Sequence, residues 1–327
     1  MKAILVNDDK TLRWDDVPYP IIKDDEVIVK IAATAVNRAD LMQREGNYPP
    51  PPGCPEWMGL EVSGRIIECG SDVSKLSNWK IGDEVCALLG GGGYAEYVAV
   101  KYDMLMHIPK GISLIEAAAL PEAFATSYLN LFIEGGLKQG NTFLATGGNS
   151  GLASVMIPMA KAFGCKTITT VRGQAKANAI KPLNADIVID TTKEKLSDAL
   201  ARNFSNGNTI DVAIDCIGGE DMGACLPYMT HGGRWIMIAS LAGFDTKIDL
   251  KNIYVRNVRI IGSTLRSRAP EIKAKLLSEL VDKIWPKVES REIRPTIHKI
   301  LPITEAEAAH NLLYNSECVG KVILTVE

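Results

Sequence analysis

A strand-to-helix segment over residues 141–153 constrains the fold of this chain more than any other part of the sequence. A short apolar run, Thr142–Ala145, meets a turn rich in glycine and serine, and an apolar helical run begins near Ser150. Such a turn can present backbone N–H groups and a helix N-terminus to a pyrophosphate. The glycines alone leave a second interpretation open, since a tight turn can need glycine without any ligand.

Strand-like and helical runs alternate around this turn, which favours a parallel sheet covered by helices. The strand-like runs of this region are Thr142–Ala145, Thr167–Val171, Ile187–Ile189, Asp211–Ile214, Arg234–Ala239 and Arg259–Leu265. The first third is rich in strand-like runs separated by Gly, Pro and Asp, namely Lys2–Val6, Glu26–Ala35, Val62–Cys69 and Ala95–Val100. The last third predicts helices over Glu271–Ile284 and Thr304–Leu313 and a strand over Lys321–Val326.

The simplest arrangement of these runs is a discontinuous α/β chain. A doubly wound parallel sheet of the Rossmann type, residues 121–264, is inserted into a β-rich domain formed by residues 1–120 and 265–327. We expect the active site in the cleft between the two domains, because ligands favour domain interfaces and the carboxyl ends of parallel strands.

The composition excludes several classes of protein. The 327 residues are 46% hydrophobic and 23% charged, as in ordinary globular proteins, and a net charge of −3 gives no sign of a nucleic-acid partner. Acidic residues appear too early for a signal peptide, and no apolar run is long enough to span a bilayer. Seven single cysteines without a CxxC pair argue against a disulfide framework. We therefore expect a cytoplasmic protein with no membrane partner.

The loop after the second strand of the parallel sheet predicts which dinucleotide is bound. NAD sites place an acidic residue at the end of this strand, where it binds the ribose 2′-hydroxyl. Here the chain continues Arg172-Gly173-Gln174-Ala175-Lys176, with two cations and no acid. Arginine can bind a phosphate through two hydrogen bonds, and lysine adds a point charge. The loop favours NADPH, with a solvated basic loop as the alternative.

Motifs along the whole chain resemble the medium-chain dehydrogenase/reductase superfamily. They are Asn37–Arg44, Gly46–Tyr48, Gly59–Gly64, Gly82–Val85, Gly92–Tyr97, Asp215–Gly219 and Gly320–Leu324. Within the superfamily the chain resembles the zinc-independent, zeta-crystallin-like quinone oxidoreductases. Pro121–Ala123 and Leu265–Arg268 resemble the subgroup of NADPH quinone oxidoreductases that a tumour suppressor induces. The resemblance implies a GroES-like catalytic domain around the Rossmann domain, and NADPH as the cofactor.

The chain departs from zinc-dependent relatives at the metal ligands. Those relatives have a catalytic cysteine where this chain has Asn37, and a histidine where it has Leu60. Neither residue can complete a zinc site of three protein ligands. The region that matches their structural-zinc lobe offers only Cys86, and the histidines at 107, 231, 298 and 310 have no ligand spacing. We predict that no metal is bound.

The resemblance also implies site residues, with Tyr48, Asn37 and Ser150 as the catalytic candidates. The phenol of Tyr48 could donate a proton or orient the substrate, or the ring could simply form a wall of the cleft. Asn37 could bind the ribose or a substrate oxygen, whereas Asp40 fits a helix cap as well as a catalytic role. The cofactor-binding residues implied are Asn37, Thr126, Gly147, Gly148, Ser150, Gly151, Leu152, Arg172, Gly173, Lys176, Ser240, Leu241 and Lys321.

Without zinc to polarise a carbonyl, an electron-poor acceptor is the favoured substrate. The predicted function is metal-free reduction of quinones by hydride transfer from NADPH in the interdomain cleft. An enal or enoyl reductase uses the same hydride geometry, and a non-catalytic NADPH-binding redox sensor is the alternative of another class. The expected partners are a small quinone or enone and a second copy of the chain, which would pair through the edge strand near Arg259–Leu265.

Overall fold

The computed structural model describes residues 1–204 and 209–326 and divides them into two compact units. Unit 1 comprises Met1–Ala125, Arg266–Arg291 and residues 295–326, so it is built from both ends of the chain. Unit 2 comprises the described part of Thr126–Leu265 together with Glu292–Arg294. The domain boundaries given above, after residues 120 and 264, stay predictions.

Unit 1 is built around a seven-stranded sheet. The strands of the unit are β1 (Lys2–Val6), β2 (Leu12–Asp16), β3 (Glu26–Ala35), β4 (Glu61–Cys69), β5 (Glu84–Leu88), β6 (Tyr97–Lys101), β7 (Leu105–His107), β14 (Ile297–Pro302) and β15 (Lys321–Thr325). The sheet order is β14-β15-β3-β4-β5-β7, with β6 also paired to β3, while β1 and β2 form a separate antiparallel ribbon. The long central strand β3 is apolar and largely buried because it has partners along both edges.

Short and long helices surround this sheet. They are α1 (Arg38–Arg44), α2 (Val73–Leu76), α9 (Pro270–Glu289) and α10 (Ala306–Tyr314). A further helix, α3 (Pro121–Tyr128), begins in unit 1, crosses the boundary after Ala125 and continues directly into a π-helical stretch, Leu129–Glu134. Within the described residues, no helix is both long enough and apolar enough to cross a membrane.

Unit 2 contains a parallel sheet of six strands in the order β10-β9-β8-β11-β12-β13. The strands are β8 (Thr142–Ala145), β9 (Lys166–Val171), β10 (Ile187–Asp190), β11 (Ile210–Asp215), β12 (Met229–Met237) and β13 (Arg259–Gly262). Between them lie α4 (Ala153–Ala162), α5 (Gln174–Ala179), α6 (Leu196–Asn203), α7 (Met222–Cys225) and α8 (Lys251–Tyr254). The fold class predicted from the sequence, a doubly wound parallel sheet inserted into a β-rich domain, is confirmed.

The order of the six strands reverses next to β8, the first strand in the sequence. β9 pairs with one side of β8 and β11 with the other, both in parallel. In doubly wound sheets this is the position where the loops at the carboxyl ends of the strands separate and leave room for a ligand. The fold therefore puts the glycine turn that follows β8 at the usual binding edge of the sheet.

Candidate functional site

The glycine turn after β8 is held against the end of β9. The N–H of Gly147 donates to Thr170 Oγ1 at 3.0 Å, and the N–H of Gly148 donates to the Thr170 carbonyl at 2.7 Å. Gly147 has a φ of +71°, which disfavours residues with a Cβ. A Cβ on Gly148 would lie 2.5 Å from Thr169 Oγ1. Glycine is therefore required at both positions for the turn itself, and these two N–H groups are already used within the protein.

The end of the turn provides donors that a phosphate could use. Gly151 and Leu152 directly precede α4, and neither backbone N–H has a hydrogen-bond partner in residues 1–204 and 209–326. The Ser150 hydroxyl accepts from the Ala153 N–H at 3.0 Å, which is a helix-capping contact, and α4 runs from Ala153, three residues after Ser150. Two unsatisfied N–H groups at the N-terminus of a ten-residue helix suit the pyrophosphate of a dinucleotide.

The basic loop after β9 lies beside this turn, because β8 and β9 are neighbouring parallel strands. Arg172 is exposed and Lys176 is half-buried, and neither forms an ion pair with any described residue. Gly173, between them, has a φ of +99° and donates its N–H to Asp190 Oδ1 at 2.8 Å. Neither charge is therefore paired within the described residues, and the contact of both cations with NADPH stays a prediction.

Asp190 is a residue of this region that the sequence reasoning missed. It ends β10, and its Oδ1 also accepts from the backbone and hydroxyl of Thr192. These bonds lower the pKa of Asp190, the largest contribution coming from the Thr192 hydroxyl. The loop after β9 itself lacks an acid, as stated above, but the neighbouring strand supplies a carboxylate to its backbone. The pairing of β10 with β9, which the local sequence does not reveal, brings Asp190 next to this loop.

Three other residues of unit 2 are assigned to the cofactor. Ser240 and Leu241 follow β12 in the sequence, and Thr126 lies in α3, before the first strand of the sheet. Ser240 follows β12 and lines a cavity of about 340 Å³ at the carboxyl ends of β12 and β13. Leu241 is exposed and donates its N–H to the Cys216 carbonyl at 3.2 Å. Thr126, in α3, has its carbonyl bonded to the Asn130 side chain at 2.8 Å. Their contacts with a cofactor stay predictions.

In unit 1 the structure brings Asn37 and Lys321 into direct contact. The Lys321 ammonium donates to Asn37 Oδ1 and to Glu61 Oε1, each at 2.6 Å. Asn37 Nδ2 donates to Glu61 Oε1 at 2.9 Å and to the Ala35 carbonyl at 3.2 Å. Glu61 is fully buried, and its second oxygen accepts from the Glu122 N–H at 2.8 Å. The three side chains form one polar cluster, in which Glu61 and Lys321 are buried and Asn37 is half-buried.

This cluster limits what Asn37 can do. Both N–H groups of its amide donate within the protein, so only its oxygen retains hydrogen-bonding capacity. A ribose hydroxyl could donate to that oxygen, whereas a substrate carbonyl would need a donor that Asn37 no longer has. Lys321, in contrast, uses two of its three donors, and Glu61, which the sequence reasoning did not single out, fixes both neighbours.

The same residues do not fit a catalytic zinc. Asn37 and the buried Leu60 are the positions for which the resemblance implied cysteine and histidine in zinc-dependent relatives, and an ammonium is bonded to the Asn37 oxygen. A cation next to the ligand position would repel Zn²⁺. Among the described residues, no group of three His, Cys, Asp or Glu side chains is placed to hold a metal ion.

Asp40 organises a second buried group next to Asn37. Its Oδ2 accepts from the Asn37 N–H at 2.8 Å, which caps α1, and its Oδ1 accepts from the Gly59 N–H at 3.0 Å. The Tyr94 hydroxyl lies 3.4 Å from Asp40 Oδ2 and 3.2 Å from His310 Nε2. Burial raises the pKa of Asp40 to about 6 and lowers the pKa of His310 to about 3. Asp40 therefore acts through the backbone rather than toward a ligand.

Tyr48 lies in another part of unit 1, beside a buried arginine. The guanidinium carbon of Arg266 is 5.0 Å from the centre of the Tyr48 ring. The Tyr48 hydroxyl has no hydrogen-bond partner among residues 1–204 and 209–326. Burial raises the pKa of this phenol, and the charge of Arg266 opposes that effect. A half-buried phenol without an internal partner can donate to a ligand, which is the role predicted for it.

Comparison with known proteins adds family assignments for both units. Residues 23–110 match the family described as alcohol dehydrogenase GroES-like domain, and residues 151–282 match the family described as zinc-binding dehydrogenase. A 2-methylene-furan-3-one reductase of Solanum lycopersicum is 30% identical, over 94% of this chain and 74% of its own length. A quinone oxidoreductase-like protein 2 homolog of Nematostella vectensis is 29% identical, over 92% of this chain and 82% of its own.

Solved structures resemble the chain over its whole length. The quinone oxidoreductase of Thermus thermophilus, which was also solved in complex with NADPH, is 27% identical, with a TM-score of 0.82 and full coverage of both chains. An NAD-dependent alcohol dehydrogenase is 26% identical, with a TM-score of 0.85 and full coverage of both chains. The fold is therefore shared by proteins whose names indicate different nicotinamide cofactors.

Proposed function

Because the chain belongs to the medium-chain dehydrogenase/reductase superfamily, we propose that it is an NADPH-dependent oxidoreductase that reduces quinones without a metal. The observation that carries the proposal is the Lys321 ammonium bonded to Asn37 and Glu61. Lys321 puts a fixed cation where a zinc ligand set would be needed. Activation of the acceptor then depends on hydrogen-bond donors, which suffice for a compound as electron-poor as a quinone.

Each part of the proposed reaction has residues assigned to it. Bound NADPH supplies a hydride. The N–H groups of Gly151 and Leu152 bind the pyrophosphate, and Arg172 and Lys176 bind the 2′-phosphate. The Tyr48 phenol gives its proton to the acceptor oxygen and recovers one from water, so that quinone, NADPH and a proton become hydroquinone and NADP⁺. Positioning of the two reactants supplies most of the rate enhancement.

The first experiment measures the loss of NADPH absorbance with metal-stripped protein, using a naphthoquinone and a simple enal as parallel acceptors. We expect turnover with the quinone, and no gain when zinc is added back. Turnover with the enal alone would assign the function to double-bond reduction. NADPH binding without turnover of either compound would contradict catalysis and favour a redox sensor.

One comparison keeps the double-bond reductase as the second candidate. The Solanum lycopersicum relative is named for a compound that contains both a methylene group and a ketone. Hydride addition to such a conjugated carbon–carbon bond leaves negative charge on the ketone oxygen, which a phenol such as Tyr48 can protonate. The two functions therefore require the same donor and differ in the acceptor carbon.

The cofactor assignment has its own test. Arg172→Ala removes a cation that has no ion-pair partner among the described residues, so we expect the Kd for NADPH to rise roughly tenfold to a hundredfold. The Kd for NADH, which lacks the 2′-phosphate, should change little. Lys166→Ala, at the opposite end of β9, is the matched control. Equal loss of affinity for both dinucleotides in Arg172→Ala would contradict recognition of the phosphate.

A further inference from the structure

Arg266 is a buried arginine that joins three separate segments of unit 1. Its side chain is only 6% exposed and lies between β13 and α9 in the sequence. Nε donates to the Gly90 carbonyl at 2.8 Å, Nη1 to the Tyr48 carbonyl at 3.2 Å and Nη2 to Gln43 Oε1 at 2.7 Å. Arginine is the one side chain whose planar guanidinium offers three N–H donors in fixed directions, which we call the fork of Arg266.

The position of this fork is itself well defined. The Gln43 amide that accepts from Arg266 also donates from Nε2 to the Glu56 carbonyl at 2.7 Å, which fixes its orientation. The ammonium of Lys273, in the first turn of α9, donates to the Arg266 carbonyl at 3.3 Å. The guanidinium therefore cannot move without breaking bonds to both α1 and the loop that carries Tyr48.

Arg266 bonds to no carboxylate among the described residues, although the charges of Asp40 and Glu122 act on it from a greater distance. All three acceptors are neutral carbonyl oxygens, and no ion pair of Arg266 occurs in the part of the chain that the structure describes. Buried charges are ordinarily paired. The guanidinium lies instead against the ring of Tyr48, 5.0 Å from its centre, where a cation interacts favourably with the π electrons.

This cation interacts more strongly with a phenolate than with a phenol, because the phenolate carries a negative charge. Burial alone raises the pKa of Tyr48 and makes the phenol a weaker acid, while the charge of Arg266 lowers that pKa. Glu122 also raises it, so Arg266 is the group that favours release of the proton. Loss of the Arg266 charge would leave the Tyr48 phenol less able to protonate a substrate.

We propose that Arg266 is a positioning residue that fixes the Tyr48 ring and stabilises the phenolate formed when Tyr48 protonates the acceptor. The inference rests on the function proposed above, in which Tyr48 is the proton donor. In that step the phenol O–H bond breaks and the acceptor O–H bond forms. The electron pair stays on the phenolate oxygen until water returns a proton.

Three variants separate the charge of Arg266 from its hydrogen bonds. Arg266→Met keeps most of the length of the side chain and removes the charge, and Arg266→Lys keeps the charge and loses the planar donor group. Gln43→Ala removes one acceptor of Arg266 together with the hydrogen bond from Gln43 to Glu56. Arg65→Met, at an exposed arginine of the same unit, is the control. The direct readout is the titration of the Tyr48 phenol by NMR of protein carrying ¹³C-labelled tyrosine, assigned with Tyr48→Phe.

We expect the Tyr48 phenol to titrate at higher pH in Arg266→Met, with a smaller change in Arg266→Lys and none in Arg65→Met. With a quinone, kcat should fall about tenfold or more in Arg266→Met and be partly restored in Arg266→Lys, while KM changes less. If Arg266→Met does not fold, Arg266→Lys and Gln43→Ala still report on the titration and on the split between kcat and KM.

An unchanged Tyr48 titration in every folded Arg266 variant would overturn the inference. An equal loss of kcat in Arg266→Lys and Arg266→Met at equal stability would also overturn it. Such a result would mean that the positive charge at position 266 has no effect on kcat. The titration needs no turnover. A shifted Tyr48 together with no reduction of any acceptor would leave the coupling between Arg266 and Tyr48 intact and reject the proposed function.

Discussion

At the scale of single residues, the contact between Glu61 and Lys321 gives the clearest stability prediction. Glu61→Gln leaves a buried ammonium without its counter-charge, and we expect the free energy of unfolding to fall by about 3–5 kcal/mol in urea denaturation. Glu84→Gln is the matched control, because the Arg65–Glu84 pair is exposed on both sides and should contribute about 0–1 kcal/mol. Similar losses in both variants would contradict the importance of burial.

His310 gives a prediction about pH. Burial lowers its pKa to about 3, so the folded ring stays neutral while the unfolded ring, with its ordinary value of 6.5, takes up a proton. Stability is therefore fully present above about pH 6.5 and falls as the pH drops toward 3, by about 1.4 kcal/mol per unit. From about pH 7 to about pH 5 the native protein should lose about 2 kcal/mol more than His310→Gln.

Protonation of Asp40 changes the stability with pH in the opposite direction to that of His310. Comparing the native protein with His310→Gln removes the contribution of Asp40. Its raised pKa of about 6 means that the folded protein binds a proton more readily than the unfolded chain. Stability from this group is present at low pH and is lost as the pH rises from about 4 to about 6. Both proteins contain Asp40, so it cancels in the difference. Equal pH slopes in the native protein and His310→Gln would contradict a neutral buried ring.

The residues of the candidate site differ in how visible they are in the sequence. Arg172 and Lys176 stand out because they follow β9, where an acid would mark an NAD site, and Asn37 stands out through the family resemblance. Asp190 does not, and Arg266 is visible only as part of the motif Leu265–Arg268, since the partners of both residues lie on other strands and loops. Arg266 meets Gln43 and Gly90 only after the chain has passed through the whole of unit 2. Such contacts depend on tertiary structure and have no local signal.

At the scale of elements, some strands were predictable from their sequence and others were not. β1, β3 and β8 have the predicted bounds. The sequence reasoning missed β2, β5, β7 and β14. β7 has three residues, and β14 is an edge strand with exposed charged side chains and a terminal proline. β5 and β8 are both buried almost throughout and lack alternation, and β8 was recognised because the glycine turn follows it.

The glycine turn between β8 and α4 supports a prediction for one element. Gly148→Ala places a methyl group 2.5 Å from Thr169 Oγ1 and 3.2 Å from the Thr170 carbonyl. We expect a loss of about 1–3 kcal/mol in the free energy of unfolding and weaker NADPH binding, because the turn must move away from β9. Gly262→Ala is the control, since nothing lies within 4 Å of the position that its methyl group would take. NADPH affinity equal in both variants would argue against the turn as the phosphate site.

At the scale of the whole molecule, we expect one edge strand of the parallel sheet, β13, to form a dimer interface and the other, β10, to form none. We propose that two copies of the chain pair through β13, and light scattering at micromolar concentration should give the mass of a dimer. Ile260→Lys on β13 should dissociate it, whereas Val188→Lys on the opposite edge strand β10 should not. The two side chains are equally exposed, at 39% and 38%. A monomeric native protein would reject the proposal.

The placement of β15 beside β3 has a consequence for how the protein is made. On the ribosome, β3 emerges early, whereas β15, which pairs with its residues 33–35, emerges only after the strands of unit 2. Unit 2 has all its strands much sooner and can fold while the sheet of unit 1 still has an open apolar edge. Nascent chains should therefore depend on holding chaperones until β15 has emerged, because an unpaired strand of this kind promotes aggregation.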